Sequence, residues 1–210
     1  MADWATISAL ATAGGTLVLA GATFASVRSG SRSARIAERT LLAGLRPLIV
    51  PTRREDPPQK IGFFDDTWLV APGGGAAVEV TDAAIYLGIA LRNVGAGIAV
   101  LHGWDLHLSA DAPDDPRLQL DRFHRLTRDL YIAPDDTGFW QGAFRDPSSE
   151  EFAHARDAVR SGERVDVDVL YGDQQGTQRM VTRFSLLPCE HDVWMATIAR
   201  HWNVDGADPR

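Results

Sequence analysis

The residues able to do chemistry in this 210-residue chain are six histidines, one cysteine and a scatter of aspartates, and their spacing matches no catalytic or metal-binding pattern. His102 and His107 lie five apart on one expected strand, so they point to opposite faces and cannot share a metal. No His-x-x-x-His pair or cysteine cluster supplies the usual zinc spacings. His191 and His201 flank or occupy the last expected strand without a shared face, and His154 and Arg156 sit on the solvated side of a short helix. Asp136-Thr137-Gly138 has the aspartic-protease triplet but not its apolar flanks; Pro134-Asp135 precede it and Phe139 follows, as in a turn between strands. Asp111, Asp114 and Asp115 lack the glycine and distal glutamate of a calcium loop. Gly73-Gly74-Gly75 and Gly95-x-Gly97 lack the lysine or the strand-to-helix context that cradles phosphate. Cys189 has no neighbour that would activate a thiol. No catalytic, cofactor or metal residues are assigned, and an enzyme is not expected.

The net charge of −7 is unevenly spread. Residues 28–46 carry Arg28, Arg32, Arg35, Arg39 and Arg46 against Glu38, leaving the chain from 47 onward at −10. An acidic body argues against nucleic-acid binding, whose affinity rests on phosphate contacts. A single cysteine permits no intramolecular disulfide, which favours a reducing compartment. Lys60 is the only lysine, a bias of arginine over lysine that suggests a high-GC bacterial genome.

Ala5–Val27 is a run of 23 uncharged residues rich in Ala, Gly, Thr and Ser, long enough for a bilayer core of about 30 Å. It reads as a transmembrane helix, a cleaved signal peptide or a buried soluble helix. A signal peptide wants a basic segment before the apolar stretch, and only Asp3 precedes it. The arginines follow it, and the positive-inside rule then keeps that flank in the cytoplasm. The expectation is a single-pass inner-membrane anchor with its N-terminus outside and the domain cytoplasmic, with retention or cleavage of the helix left open. Small residues at Ala5, Ala9 and Ala13, at Ala11 and Gly15, and at Gly21 and Ala25 also allow self-association of such helices.

At 100° per residue, Arg28, Arg32, Arg35, Arg39 and Arg46 share an arc of roughly 60°. Residues 28–46 are therefore expected to form a basic amphipathic juxtamembrane helix, jointed near Gly30, ended by Pro47 and facing anionic lipid headgroups. A plain solvated face and docking on the acidic domain are the alternatives.

Beyond Pro47 the apolar period changes from 3.6 to 2. Leu48–Val50, Ile61–Val70, Ala76–Val80, Ala84–Asn93, Ile98–Ser109, Asp129–Ala133, Gly138–Phe144, Arg164–Tyr171, Thr177–Leu187 and Asp192–Val204 read as strands, with 206–210 a frayed tail. One helix interrupts them, opened by the capping pair Ser148 and Glu151 and closed by Gly162. In Val165-Asp166-Val167-Asp168-Val169 the alternation puts valines in the core and aspartates toward water. The fold class is mainly β, an antiparallel sandwich or barrel over 47–205 with one short helix.

Leu91-Arg92-Asn93-Val94-Gly95-Ala96-Gly97-Ile98-Ala99 resembles the strand–turn–strand phrase of immunoglobulin-like β-sandwich domains in uncharacterised, actinobacterial-type single-span membrane proteins. Tyr171-Gly172-Asp173 with Gly176 resembles their later hairpin. The resemblance implies an immunoglobulin-like sandwich and membrane anchoring, and carries no active site. Trp104 reads as core. Phe63, Phe64 and Trp68 beside a polar loop, and Phe139 and Trp140 beside a turn, are the candidate interaction aromatics. The functional expectation is a membrane-anchored interaction module holding a protein partner or sibling subunit at the cytoplasmic face; the alternative is a ligand-sensing domain with a pocket in the sandwich or barrel mouth.

Overall fold

The computed structural model describes residues 3–108, 112–189 and 193–206, in two units that divide at Gly44/Leu45. The first unit is one helix, α1, Trp4–Gly44. Its 41 residues extend about 60 Å at 1.5 Å per residue. Alanine, leucine and arginine favour helix, and Thr23, Ser31 and Thr40 return their hydroxyl hydrogen bonds to the carbonyls of Leu19, Arg28 and Ile36. The helix passes straight through Gly30, so the expected joint is absent, and it stops two residues short of Arg46. No helix among the described residues is long and apolar enough to cross a membrane. The uncharged run has the length for a span, but its glycines, threonines and serines dilute the apolar surface that would drive insertion.

The second unit is built from antiparallel strands: β1 Ile49–Pro51, β2 Gln59–Gly62, β3 Trp68–Ala71, β4 Gly75–Val80, β5 Ile85–Asn93, β6 Ala99–Leu108, β7 His124–Ile132, β8 Thr137–Phe144, β9 Val165–Gly172, β10 Arg179–Pro188 and β11 Trp194–Asn203. Nine of them form one continuous ladder, β1-β5-β4-β11-β10-β9-β6-β7, with β8 on the other side of β5. The structure is mainly β and antiparallel, as expected, and most of its strands share one hydrogen-bonded ladder. Among the described residues β2 and β3 pair with each other alone, as a hairpin, and Asp65-Asp66, with Asp66 at φ 60°, breaks the expected long strand 61–70 between them.

The inner face holds the main core. Ile85, Leu87, Ile89 and Leu91 of β5 meet Trp104, Trp140, Val167, Val169, Tyr171 and Phe184, and the helix α2 (Glu150–Ser161) adds Phe152 and Ala155. Its N-cap is Ser149, whose hydroxyl accepts from the Phe152 N–H at 3.1 Å, one residue later than expected; Gly162 closes it in the left-handed region, as expected. β5 is apolar throughout because its other face is covered as well: Tyr86 and Ala90 pack under Ile61, Phe63, Leu69 and Ala71 of the β2–β3 ribbon.

The outer face of the remaining strands is polar yet buried. Register aligns Asp105, Asp168, Arg183 and Arg200 across β6, β9, β10 and β11. Arg183 bonds Asp168 twice, Nε to Oδ1 at 2.8 Å and Nη2 to Oδ2 at 2.7 Å, and Ser185 donates to Asp166 at 2.6 Å. Residues 113–117, before β7, reach this row, with the Pro113 carbonyl accepting from Arg183 at 2.9 Å and Arg117 donating to the Asn203 carbonyl at 3.0 Å. Asp166 and Asp168 therefore do not face water as expected; their alternation with valine marks a second interior layer in which each carboxylate has a built partner.

Candidate functional site

Two surfaces of the β unit bring together groups with the capacity to bind. The first is the β2–β3 ribbon. Its inner residues Ile61, Leu69 and Ala71 are buried, which by alternation turns Trp68 and Val70 outward at 65% and 56% exposure, with Phe64 at 73% in the turn. Register sets Gly62 opposite Trp68, and a β-carbon there would meet the indole at 2.9 Å, so glycine is what lets the ring lie across β2. Arg145 stacks on Phe64 at 4.2 Å and pairs with Asp65 at 3.3 Å, while Tyr86 donates to Asp65 at 2.7 Å. The turn is thus held rigidly beneath an exposed apolar strip. Among the described residues no third strand pairs with the ribbon.

The second surface is a cavity of about 240 Å³ between the end of β6, the start of β7 and α2. Asp105 and His107 lie buried at its floor; Arg122, His124, Glu151 and His154 form the rim; Leu106, Leu108, Phe144 and Ala155 supply apolar wall. His124 stacks on Trp104 at 4.7 Å, meets Phe144 edge-on at 5.8 Å, and lies 3.5 Å from Glu151 on α2. His107 Nε2 approaches Asp168 Oδ2 at 3.1 Å and Asp105 Oδ2 at 3.5 Å, but neither approach is aligned as a hydrogen bond. Among the described residues no group of histidine, cysteine and carboxylate side chains is arranged to hold a metal ion.

Burial pushes the Asp105 carboxyl above its ordinary value, against the opposing pull of His107, Arg122, the Leu106 N–H and His124. A carboxyl raised in the folded state contributes stability below its unfolded value of about 3.9 and loses that contribution as pH rises through the folded value. Asp105→Asn is therefore expected to be more stable than the parent at pH 7, with the advantage shrinking at pH 4. Urea midpoints of both proteins at the two pH values check this; a variant less stable at pH 7 would mean that His107 outweighs the burial.

The residues singled out from sequence are dispersed. Phe63 and Trp140 are interior, a correction to their reading as interaction aromatics, and Phe139 is half-buried beneath Arg128. Phe64 and Trp68 are exposed and adjacent through the ribbon turn. Arg28, Arg32 and Arg35 are exposed on α1, and Arg39 lies on the same helix. Arg46 does not belong to that face: it follows the helix, is half-buried in the β unit, and its Nε lies 2.9 Å from Met180 Sδ. His102 is exposed and His107 buried, but the opposite faces expected from their spacing do not follow, because the register shifts between Leu101 and Gly103 and a β-carbon at Gly172 would meet the His102 ring at 3.1 Å. Asp111 and His191 lie outside the described residues. His154 is exposed as expected but rims the cavity, together with His124, Arg122, Glu151 and Asp105, which no motif marks. The available signal was Asp105-Leu106-His107, two ionisable groups on one face of a strand whose neighbour β9 repeats an aspartate at the same period.

Comparison with protein-family models and with curated proteins returns no match. A solved structure described as a protein from Archaeoglobus fulgidus overlaps 61% of this chain and 92% of its own, at 12% identity and a TM-score of 0.25. At that score the overlap supports no inference.

Proposed function

We propose that the β unit is a non-catalytic interaction module that receives an extended segment of a partner protein along the β2–β3 ribbon. The observation that carries this reading is a two-stranded ribbon whose β3 has no further strand partner among the described residues, with Trp68 and Val70 turned outward. Unpaired strand edges accept a further strand through main-chain hydrogen bonds, and alternate side chains of that strand would rest on the indole and the valine. A buried tryptophan anchor is the kind of contact that dominates such interfaces, at about 2 kcal/mol or more. Trp68→Ser combined with Val70→Thr in the full chain is expected to abolish co-purification of the partner from native cells. The melting temperature should move by only about 2 °C, since both side chains are exposed. Partner recovery unchanged in the double variant would refute the reading.

The same proposal gives α1 the attachment role, at a membrane surface rather than across it, on the cytoplasmic face. Exposed Arg28, Arg32 and Arg35 support it, each worth about 1 kcal/mol near anionic headgroups. The full chain is expected to float with anionic vesicles and not with neutral ones, and replacing the three arginines by glutamine should release it. Equal flotation with neutral vesicles would contradict an electrostatic attachment.

A second reading, ligand sensing, is favoured by the cavity beside α2, where ionisable groups from separate elements converge against an apolar wall.

A further inference from the structure

We infer that the cavity between β6, β7 and α2 takes a small zwitterion of the α-amino-acid class; this rests on the ligand-sensing reading of that cavity. Its lining carries both signs of charge on different elements. Arg122, before β7, is positive, Asp105 on β6 and Glu151 at the start of α2 are the carboxylates, and His154 on α2 adds a polar ring. A simple anion would meet Arg122 but be opposed by Asp105 and Glu151. A simple cation would meet the carboxylates but be opposed by Arg122. A neutral apolar molecule would strip water from all four without replacing a hydrogen bond, which is costly. A molecule with an ammonium and a carboxylate on adjacent atoms answers both sets.

The floor supports the same assignment. Asp105 is buried, its Oδ1 accepts the Leu106 N–H at 3.0 Å, and its Oδ2 has His107 at 3.5 Å, so an ammonium entering the cavity supplies a charged donor that this carboxylate has from no hydrogen bond among the described residues. His107 Nε2 is buried without an aligned partner at the same floor. Phe144 offers an apolar wall to a side chain. The volume fits as well: about 240 Å³ lies below the roughly 300–1,000 Å³ of sites for drug-sized ligands, and corresponds to about eight waters at about 30 Å³ each.

Calorimetric titration of the full chain at pH 7 with L-alanine and L-leucine, each beside its own single-ended analogues, tests this. The analogues are propionate and ethylamine for alanine, and 4-methylpentanoate and isopentylamine for leucine. At least one amino acid is expected to bind about tenfold or more tightly than both of its analogues, because losing the ammonium leaves the buried Asp105 unanswered and losing the carboxylate forfeits the contact with Arg122. Arg122→Gln should weaken that amino acid by about tenfold without weakening its amine analogue, and Asp105→Asn should weaken it by about tenfold without weakening its acid analogue. An acid or amine binding within about threefold of its parent amino acid would overturn the zwitterion assignment while leaving a ligand site standing. No heat from any of the six compounds up to about 10 mM would overturn the assignment and the ligand-sensing reading together.

Discussion

Arg183→Met is expected to destabilise the β unit by about 3–5 kcal/mol, the cost of stranding a buried carboxylate. Asp168 has no exposed surface, and both of its oxygens are bonded by the one guanidinium. Methionine fills a similar volume but returns neither hydrogen bond, and it also leaves the Pro113 carbonyl without its Arg183 donor. His107 stands 3.1 Å from Asp168 but in poor alignment, so it replaces little of the loss. The deficit should depend on pH. An unpaired buried aspartate holds its proton above the unfolded value of about 3.9, so the variant is least handicapped in acid and most handicapped near neutrality. Replacing the pair together, Arg183→Met with Asp168→Leu, should recover most of the loss, because the desolvation of both ions disappears with them. Urea unfolding of the parent, the single and the double variant at pH 4 and 7 measures all three statements. A single-variant loss below about 1 kcal/mol at pH 7 would mean that the row is solvated and Asp168 is not an interior ion.

The second large effect is expected at Asn93→Asp, a change that alters neither size nor shape. Asn93 is fully buried and uses its amide to capacity. Its Nδ2 donates to the carbonyls of Gly97 at 2.7 Å and Ile132 at 3.0 Å, and its Oδ1 accepts the N–H groups of Leu48 at 3.1 Å and Gly95 at 3.0 Å. One side chain thereby ties the entry to β1, the β5–β6 turn and the end of β7. The chains pass so closely that a β-carbon at Gly97 would overlap the Leu45 carbonyl. Aspartate keeps the acceptor but aims a second acceptor at two carbonyls, with a charge that has no partner. At about 1–3 kcal/mol for each stranded group, the loss is on the order of 4 kcal/mol. Chemical unfolding checks it. Asn93→Asp tolerated within about 1 kcal/mol would show that the two donor bonds contribute little.

These two sites explain what was legible in the sequence. The phrase around Asn93 and Gly97 was readable as a tight strand–turn–strand connection, and β5 and β6 lie where alternation put them. The Tyr171-Gly172-Asp173 phrase was likewise a hairpin: Asp173 Oδ1 accepts from the Thr177 N–H at 2.7 Å, and Gly176 takes φ 70°. What local pattern could not report was which faces are covered. Asp166 and Asp168 alternate with valine as solvent-facing residues would, and only the strand order β6-β9-β10 brings Arg183 and His107 to them. Phe63 and Phe64 are neighbours in sequence, yet the hairpin turns one into the interior and the other out. The arginine arc requires an unbroken helix through residue 46; the helix stops at Gly44, and Arg46 belongs to the β unit beside Met180. The cavity was invisible because its ionisable residues come from β6, β7, α2 and the segment before β7, at separations no motif links.

The ribbon and the cavity make separate demands on a test, since a variant at Trp68 leaves Asp105 and Arg122 untouched. The ribbon reading is tested most directly by placing a photo-crosslinking side chain at position 68, at position 64, or at Leu118, in the full chain in its native cells. Leu118 is 82% exposed on the segment between β6 and β7, so it reports on apolar exposure without the ribbon. A discrete adduct of one size from positions 68 and 64, absent at 118 and lost when Val70 is changed to threonine, is the expected result. No adduct from the ribbon, or equal adducts from all three positions, would contradict a partner docked on β2–β3.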